Sequence, residues 1–242
     1  MPRPSIRAAA RSGDRRPSVV VLDVNETLID IEALSPLFER VFGDHRVLRE
    51  WFAQLVLYSM TTTLAGLYED FSSLARGVFE MVGAVHGVSV EATDVEELRA
   101  GLLTMPAHPD VEEGLMVLKR AGFRLVTLTN SPPDPSGKSP LEHAGLGGHF
   151  ERQFSVEAAR VFKPSPLVYR MVAEELGVMS SDCCMVASHV WDTIGAQSVG
   201  FSAGLITRPG NAPLSVLGLP QPDVVAPDLP ALAARLIDRW RS

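Results

Sequence analysis

Short apolar runs that end in polar residues recur along the chain. The first, "SVVVLDVNETLI" at residues 18–29, has four consecutive apolar positions that lead directly into Asp23. Three further runs have the same form, and they are "FRLVTLTNS" (123–131), "CCMVASHVWDT" (183–193) and "GFSAGLITRPGN" (200–211). Apolar runs of this length, bounded by polar residues, predict strands that are buried on both faces.

Amphipathic helices are predicted between these strands. In "VEEGLMVLKRAG" (111–122) and "SPLVYRMVAEELG" (165–177) the apolar positions recur at helical spacing, and each segment ends in a glycine that suits a helix C-terminus. A shorter helix is predicted for "TIGAQSV" (193–199). Strands that alternate with helices indicate an α/β fold, with a Rossmann-like parallel sheet and helices on its faces.

Residues 31–105 do not follow this alternation. They show apolar positions of helical period and no convincing strand, which predicts an α-helical cap domain inserted after the first strand. We therefore assign residues 18–30 and 106–242 to the Rossmann-like core and residues 31–105 to the cap. Residues 1–17 are basic and have no apolar stretch behind them, so we expect a disordered N-terminal arm rather than a targeting signal.

Composition narrows the classes of partner. The formal net charge of −7 disfavours a nucleic acid or an anionic membrane surface as the main partner, since both attract clustered Lys and Arg. No stretch approaches the roughly 18 apolar residues typical of a membrane span. The only two cysteines, Cys183 and Cys184, are adjacent, so on a strand they point to opposite faces. This favours buried thiols in a reducing cytoplasm.

Polar residues at the carboxyl ends of the predicted strands indicate one shared site. Asp23 ends the first strand, Thr129 and Asn130 follow the second, and Ser188 and His189 follow the third. In open parallel sheets, ligands bind outside the carboxyl ends of the strands. These residues are therefore candidate functional residues.

Four segments around this predicted site resemble the motifs of a known superfamily. They occur in the order "LDVNETLID", "LTNS", "VFKPSPLVY" and "MVASHVWDTIGAQSVGF". In order and spacing they resemble the motifs of the haloacid dehalogenase superfamily, and most of all its type II branch, the L-2-haloacid dehalogenases. The resemblance extends over about residues 18–210 and includes the place of the helical cap. It implies a hydrolase that cleaves the carbon–halogen bond of a small 2-halocarboxylate to give a 2-hydroxy acid.

The resemblance also implies roles for the catalytic residues. Asp23 would be the nucleophile, whose carboxylate displaces the halide and forms an ester that water then hydrolyses. Thr27 would orient Asp23, and Thr129 stands where the family has Ser or Thr. Lys163 would keep the nucleophile ionised. Asp192, together with Lys163, would position or activate the hydrolytic water.

The remaining candidate residues are expected to contact the substrate. Asn130 resembles a binder of the substrate carboxylate, and Tyr169 and Trp191 resemble walls of the active site. The full predicted substrate-binding set is Asn25, Phe52, Asn130, Tyr169, Ser188, His189 and Trp191. Simpler interpretations exist, because Tyr169 and Trp191 could be packing residues and Asp192 could cap the helix that follows it.

Asn25 distinguishes between two chemistries of the superfamily. The phosphatases carry a second aspartate two residues after the nucleophile, because an alkoxide leaving group needs a proton donor. They use Mg²⁺ held by acidic residues. Asn25 cannot act as an acid, and a departing halide needs neither a proton nor a metal. The sequence therefore favours carbon–halogen cleavage without a cofactor, and a Mg²⁺-dependent phosphatase is the alternative.

Several positions depart from the type II pattern. Phe52 stands where the cap helix of that branch has a halide-binding arginine, although Arg49 lies on a similar face of the helix. Asn25 and Glu26 replace Tyr and Gly in the first motif, and His189 replaces an amide in the last. His189 could be satisfied by neighbouring carbonyl groups, or its imidazole could face the leaving group as a positive donor.

These departures leave a third alternative, a binding or regulatory protein that has lost efficient catalysis. The retained Asp23, Lys163 and Asp192 argue against it, because burying such an ion cluster without a function is costly. The apolar segment "WFAQLVLYSM" (51–60) could join two caps in a homodimer, but a buried face within one cap accounts for the same residues.

Overall fold

A six-stranded parallel sheet lies at the centre of the structure, a computed structural model that describes residues 16–133 and 138–240. Its strands are β1 (Val19–Leu22), β2 (Arg124–Thr129), β3 (Arg152–Ser155), β4 (Cys183–Ala187), β5 (Ser202–Ile206) and β6 (Val224–Ala226). They lie in the order β3-β2-β1-β4-β5-β6, and every neighbouring pair is parallel. This confirms the predicted Rossmann-like sheet. Most of the predicted arm at residues 1–17 lies outside the described residues.

Four helices lie between β1 and β2 in the segment predicted to form the cap, and they are α1 (Ser35–Phe42), α2 (Val47–Leu64), α3 (Phe71–His86) and α4 (Ala92–Thr104). The helices that follow are α5 (Val111–Arg120), α6 (Pro140–His143), α7 (Pro166–Leu176), α8 (Val190–Gln197) and α9 (Leu229–Arg239). The inserted helical block is therefore confirmed. The domain boundaries at residues 30/31 and 105/106 stay a prediction.

The sequence pattern does not predict β3 and β6, and helix α8 begins three residues earlier than expected. Both strands are edges of the sheet and are short, with only Phe154 buried in β3. Edge strands of this kind lack the continuous apolar run that marks the inner strands of a parallel sheet. By contrast, β1, β4 and β5 are buried along their whole length.

Helices α5 and α9 pack against each other on one side of the sheet. They approach closely at Gly114, where a Cβ atom would lie 2.4 Å from the side chain of Leu229. Cys183 and Cys184 are free and buried, as predicted. No helix in the described ranges combines the length and the hydropathy needed to cross a bilayer.

An aromatic cluster forms the interior of the cap. The ring of Phe38 in α1 lies 5.5 Å from that of Trp51 in α2 and 5.3 Å from that of Phe79 in α3, centroid to centroid. The indole of Trp51 also donates a hydrogen bond to the carbonyl of Ala75 at 3.0 Å. Phe52 is the next residue, about 100° further around the helix, and its ring lies 6.3 Å from that of Trp51 and 5.6 Å from that of His189.

Candidate active site

The carboxyl ends of three adjacent strands bring the predicted site residues together. Asp23 follows β1, Asn130 follows β2, and Ser188 and His189 follow β4, and all four side chains are buried. Strand β1 lies between β2 and β4, where the chain changes the direction in which it adds strands. Such a switch point is the usual ligand site of an open parallel sheet.

Lys163 lies between two carboxylates. Its Nζ atom donates hydrogen bonds of 2.7 Å to Asp23 Oδ1 and to Asp192 Oδ2, and a third of 3.0 Å to the carbonyl of Leu128. The Lys163 side chain is only 1% exposed, so these three acceptors satisfy its three N–H groups inside the protein. On the far side of Asp192, the hydroxyl of Tyr169 donates to Oδ1 at 2.6 Å.

Burial and charge act in opposite directions on these groups. Burial alone would raise the pKa of Asp23, but the charge of the Lys163 ammonium beside it outweighs burial and lowers the pKa. Burial lowers the pKa of Lys163, yet Asp192 and Asp23 raise it further, so the net shift is upward. Burial raises the pKa of Asp192, and the attraction of Lys163 does not cancel the rise. Asp23 is thus the carboxylate held in its ionised form.

Hydrogen bonds to Thr27 fix the loop that carries Asp23. The hydroxyl of Thr27 donates to Asp23 Oδ2 at 2.6 Å and accepts from the backbone N–H of Ser188 at 2.9 Å. The guanidinium of Arg208 donates to the Thr27 carbonyl at 3.0 Å and to Asp110 at 2.6 Å. The sequence pattern carries no signal for this role of Arg208, because its partners are remote along the chain.

A small cavity of about 10 Å³ opens next to Asp23. Its lining residues are Asp23, Asn25, Phe52, Val56, Phe71, Thr129, Asn130, Lys163, His189 and Trp191. This volume has room for about one water molecule. Since Phe52, Val56 and Phe71 belong to cap helices, the cap closes the site in this structure.

Two of the predicted substrate-binding residues, Tyr169 and Ser188, do not line the cavity. Tyr169 is fully buried and donates to Asp192, and burial raises the pKa of its hydroxyl well above the usual value, so it remains a donor. The hydroxyl of Ser188 donates to the backbone carbonyl of Glu26 at 3.2 Å. Both residues hold other site residues in place and do not contact the cavity themselves.

Asp192 also lies behind the cavity rather than on it. It is in the first turn of α8, but its side chain contacts Lys163 and Tyr169, with no bond to the helix backbone among those that the structure shows. The capping interpretation is therefore not supported. With Oδ1 and Oδ2 both engaged, Asp192 holds Lys163 in place.

Arg49 does not replace the missing halide-binding arginine. Its guanidinium forms ion pairs with Glu26 and Glu32 and donates to the carbonyl of Pro209 at 3.2 Å. It does not line the cavity, whereas Phe52 does. Arg49 therefore joins the cap to the core instead of reaching the reacting atoms.

The partner of His189 is a carboxylate, whereas the sequence analysis considered neighbouring carbonyl groups as its partners. Its Nε2 lies 2.5 Å from Glu26 Oε2, and its Nδ1 lies 3.6 Å from Asp23 Oδ2. The imidazole stacks on Trp191 with centroids 5.0 Å apart, and the ring of Phe52 lies 5.6 Å away on a cap helix. Glu26 was missed as a site residue. Its signal in the sequence is an acidic side chain at the glycine position of the first motif.

A larger cavity of about 530 Å³ adjoins the small one and shares Asn25 and Phe71 with it. Residues of α3, α4 and the loop after β2 form most of its lining. Asn25 lies between the two spaces and donates to the hydroxyl of Ser131 at 3.3 Å. The small cavity therefore borders a space large enough for an organic molecule.

The described part of the chain contains no cluster of side chains suited to bind a metal ion. No set of three or more His, Cys, Asp and Glu residues within residues 16–133 and 138–240 is placed to hold an ion. The space between Asp23 and Asp192 contains the ammonium group of Lys163.

Gly195→Ala is expected to loosen the support of Asp192. A Cβ atom at Gly195 would lie 2.7 Å from the ring and hydroxyl of Tyr169 and from Pro164. We expect the free energy of unfolding to fall by about 1–3 kcal/mol and turnover to fall with it, as measured by urea titration and steady-state assays. Gly77→Ala in α3 is the control, because a Cβ there meets no atom within 4 Å. Equal urea midpoints for the two variants would contradict this packing.

The fold and the buried Asp–Lys–Asp cluster define a hydrolase of the haloacid dehalogenase type. A sequence model described as haloacid dehalogenase-like hydrolase matches residues 17–200, and the chain belongs to this family.

Individual relatives agree with this assignment. The (S)-2-haloacid dehalogenase of Xanthobacter autotrophicus is 29% identical over 192 residues, which cover 78% of this chain and 74% of that protein. The structure of L-2-haloacid dehalogenase from the same organism with chloropropionic acid covalently bound has a TM-score of 0.81 at 26% identity, covering 92% of this chain and 98% of that one. A phosphoglycolate phosphatase of Neisseria gonorrhoeae is 33% identical over 122 residues, half of each chain.

Proposed function

We propose that this protein hydrolyses the carbon–halogen bond of a small 2-halocarboxylate through an ester of Asp23 and releases a 2-hydroxy acid. The observation that carries the proposal is the ion pair between Asp23 and Lys163 at the wall of the small cavity. Asn25, two residues after Asp23, lines the same cavity. The site has a nucleophile but no acid at the position two residues later. Such a site suits a leaving group that departs without a proton.

In the first step, the Asp23 carboxylate attacks the carbon that bears the halogen, and the carbon–halogen bond breaks as the carbon–oxygen bond forms. Lys163 keeps Asp23 ionised, and the hydroxyl of Thr27 holds its second oxygen. Asp192 holds Lys163, and Tyr169 in turn holds Asp192. Water then hydrolyses the ester at the carboxyl carbon of Asp23 and restores the free enzyme.

Six of the residues that line the cavity are the proposed substrate contacts, and they are Asn25, Phe52, Thr129, Asn130, His189 and Trp191. A haloacid is several times larger than the one water molecule that about 10 Å³ admits. Substrate entry therefore requires movement of the cap residues Phe52 and Phe71 away from Asp23. The Arg49 ion pairs, which join α2 to the core, would open in the same movement.

The second candidate function is a Mg²⁺-dependent phosphatase, which the similarity to phosphoglycolate phosphatase over half the chain favours. The residues of the site fit the metal poorly. Asn25 offers no acid for a departing alkoxide, and the ammonium of Lys163 already donates to both Asp23 and Asp192. We therefore propose catalysis without a cofactor.

Release of chloride from 2-chloropropionate in the presence of EDTA tests the proposal, and we expect sustained turnover. Metal-dependent release of phosphate from p-nitrophenyl phosphate, with no chloride release, would select the phosphatase. Inertness towards both compounds, together with tight binding of a small carboxylate, would select a family member that has lost catalysis.

The proposal extends to assembly and location. Leu57, Tyr58 and Leu64 are exposed apolar residues of α2 and support a homodimer through the cap, which light scattering would measure. Cys183 and Cys184 carry free thiols, in keeping with a reducing cytoplasm. Residues 31–105 are the proposed cap, and residues 18–30 with 106–242 the proposed core.

A further inference from the structure

Glu26 occupies a position that is unfavourable for its residue type. Its φ angle is +63°, in the left-handed region that favours glycine, and the residue is only 4% exposed. Within the described chain, only Glu26 and Arg160 have a positive φ among residues other than glycine. Backbone strain of this kind persists where the surroundings hold it in place, and it concentrates at functional sites.

Both carboxylate oxygens of Glu26 are engaged. Oε1 accepts from the guanidinium of Arg49, and Oε2 lies 2.5 Å from Nε2 of His189. An ionised carboxylate can only accept hydrogen bonds, so Nε2 carries the shared proton. In the neutral imidazole this leaves the lone pair on Nδ1.

Nδ1 of His189 faces the nucleophile. The atom is buried, it has no hydrogen-bond partner among the described residues, and it lies 3.6 Å from Asp23 Oδ2. Phe52 and Trp191 restrict the ring, and His189 lines the cavity that admits about one water molecule. A carboxylate that orients an imidazole, with the free nitrogen of that imidazole directed at the nucleophile, is the arrangement of a general base.

Asp192 is less suited to accept a proton from water. Its two oxygens are bound to Tyr169 and Lys163, and it does not line the cavity. Lys163 has all three N–H groups directed at acceptors. Among the titratable groups that line the cavity beside Asp23, His189 is the one with an unpartnered buried nitrogen.

We infer that Glu26 and His189 form a dyad that activates the water for hydrolysis of the Asp23 ester, an inference that rests on the proposed function. The ester carries no negative charge, so Nδ1 then faces a neutral group. Nδ1 takes a proton from water as the water oxygen bonds to the carboxyl carbon of Asp23. The bond from that carbon to the substrate oxygen then breaks, and the imidazolium returns the proton to this oxygen. The 2-hydroxy acid leaves, and the regenerated Asp23 loses its proton to solvent.

In this scheme His189 touches the reacting water, and Glu26 is a positioning residue that holds the ring and its tautomer. Arg49 links the same carboxylate to the cap, so the dyad is assembled when the cap is closed. The device acts on the second chemical step alone and leaves displacement of the halide to Asp23 and Lys163.

His189→Asn separates the two steps. With 2-chloropropionate we expect one rapid release of chloride, up to one equivalent of enzyme, followed by ester hydrolysis slowed by a factor of about 10² or more. Rapid quenching and mass analysis of the peptide that contains Asp23 should show the trapped ester. The size of the chloride burst counts the sites that form the ester, and far-ultraviolet circular dichroism measures the folding of the variant separately.

Glu26→Gln and Glu26→Gly test the positioning role, and Glu32→Gln is the matched control. Both Glu26 variants should retain the burst and hydrolyse the ester slowly, although glycine removes the backbone strain. Glu32 shares the Arg49 contact without touching His189, so its variant should hydrolyse the ester at the normal rate. A slow step in Glu32→Gln equal to that in Glu26→Gln would assign the effect to cap closure and overturn the dyad.

Two further results would overturn the inference. One is normal ester hydrolysis in His189→Asn. The other is loss of the chloride burst itself in a folded variant, which would place His189 at departure of the halide. Failure of the unmodified protein to release halide is a separate outcome, because it refutes the proposed function before any variant is made.

Discussion

Asp23→Asn is expected to reduce chloride release from 2-chloropropionate by a factor on the order of 10⁴ or more, because the amide lacks the anionic oxygen that attacks carbon. The loss should appear in kcat and in kcat/KM alike. The amide oxygen replaces only one of the two carboxylate oxygens, so either Lys163 or Thr27 also loses its acceptor at this position. The measurement is chloride release over time at saturating substrate.

Asp228→Asn is the matched control for this variant. Asp228 caps helix α9 by accepting from the backbone N–H of Ala231 at 2.8 Å, and it does not line the cavity. Asn and Asp cap helices about equally well, so activity should be unchanged. An Asp23→Asn protein with more than a trace of activity, after exclusion of deamidation by mass analysis, would remove Asp23 as the nucleophile.

Lys163→Met is expected to reduce the free energy of unfolding by about 3–5 kcal/mol, because it leaves two buried carboxylates without their cation. Lys163 contacts both Asp23 and Asp192 at 2.7 Å and is almost completely buried. Urea titration would measure the loss. We also expect chloride release to disappear, since the variant no longer stabilises the ionised nucleophile.

The pH dependence of Lys163→Met provides a second measurement. Without the ammonium, the proximity and burial of the two carboxylates raise a pKa in the folded state above its unfolded value. A group of this kind favours folding while it is protonated and loses that contribution as the pH rises. The deficit in stability relative to the unmodified protein should therefore grow from acidic to neutral pH.

The double variant Lys163→Met with Asp192→Asn is the control for the charge argument. Removing one of the two facing charges should restore part of the lost stability and weaken the pH dependence. If Lys163→Met is as stable as the unmodified protein, or if the second substitution adds a further loss, the charge explanation is wrong and packing of the lysine stem would account for the effect.

The fold was predictable for those elements whose burial requires a regular pattern of apolar residues. Inner parallel strands need apolar residues on both faces, so β1, β2, β4 and β5 are visible as continuous runs, and the helical period of residues 31–105 is equally clear. The edge strands β3 and β6 satisfy no such requirement. The convergence of Asp23, Asn130 and His189 was also predictable, since carboxyl ends of neighbouring parallel strands lie at one edge of the sheet.

Contacts between distant segments were not predictable from spacing. Arg49 lies on a helix face near that of Phe52, yet its guanidinium turns to Glu26 and Glu32 because those carboxylates are within reach across the interface between cap and core. Tyr169 looked like a wall of the site and is a buried donor to Asp192. Such partners depend on the packing of α2, α7 and α8, which no local pattern encodes.

The sequence by itself determined the parallel sheet, the inserted helical cap, the family, and the presence of Asp23, Asn130 and His189 at one edge of the sheet. The sequence also showed that position 25 cannot supply a proton to a leaving group, because that property follows from the residue type alone. Only the tertiary structure decided which groups face the cavity and which lie behind it. It joined Glu26 to His189 across 163 positions of sequence, because a left-handed turn after β1 and the end of β4 bring the two side chains into one buried contact.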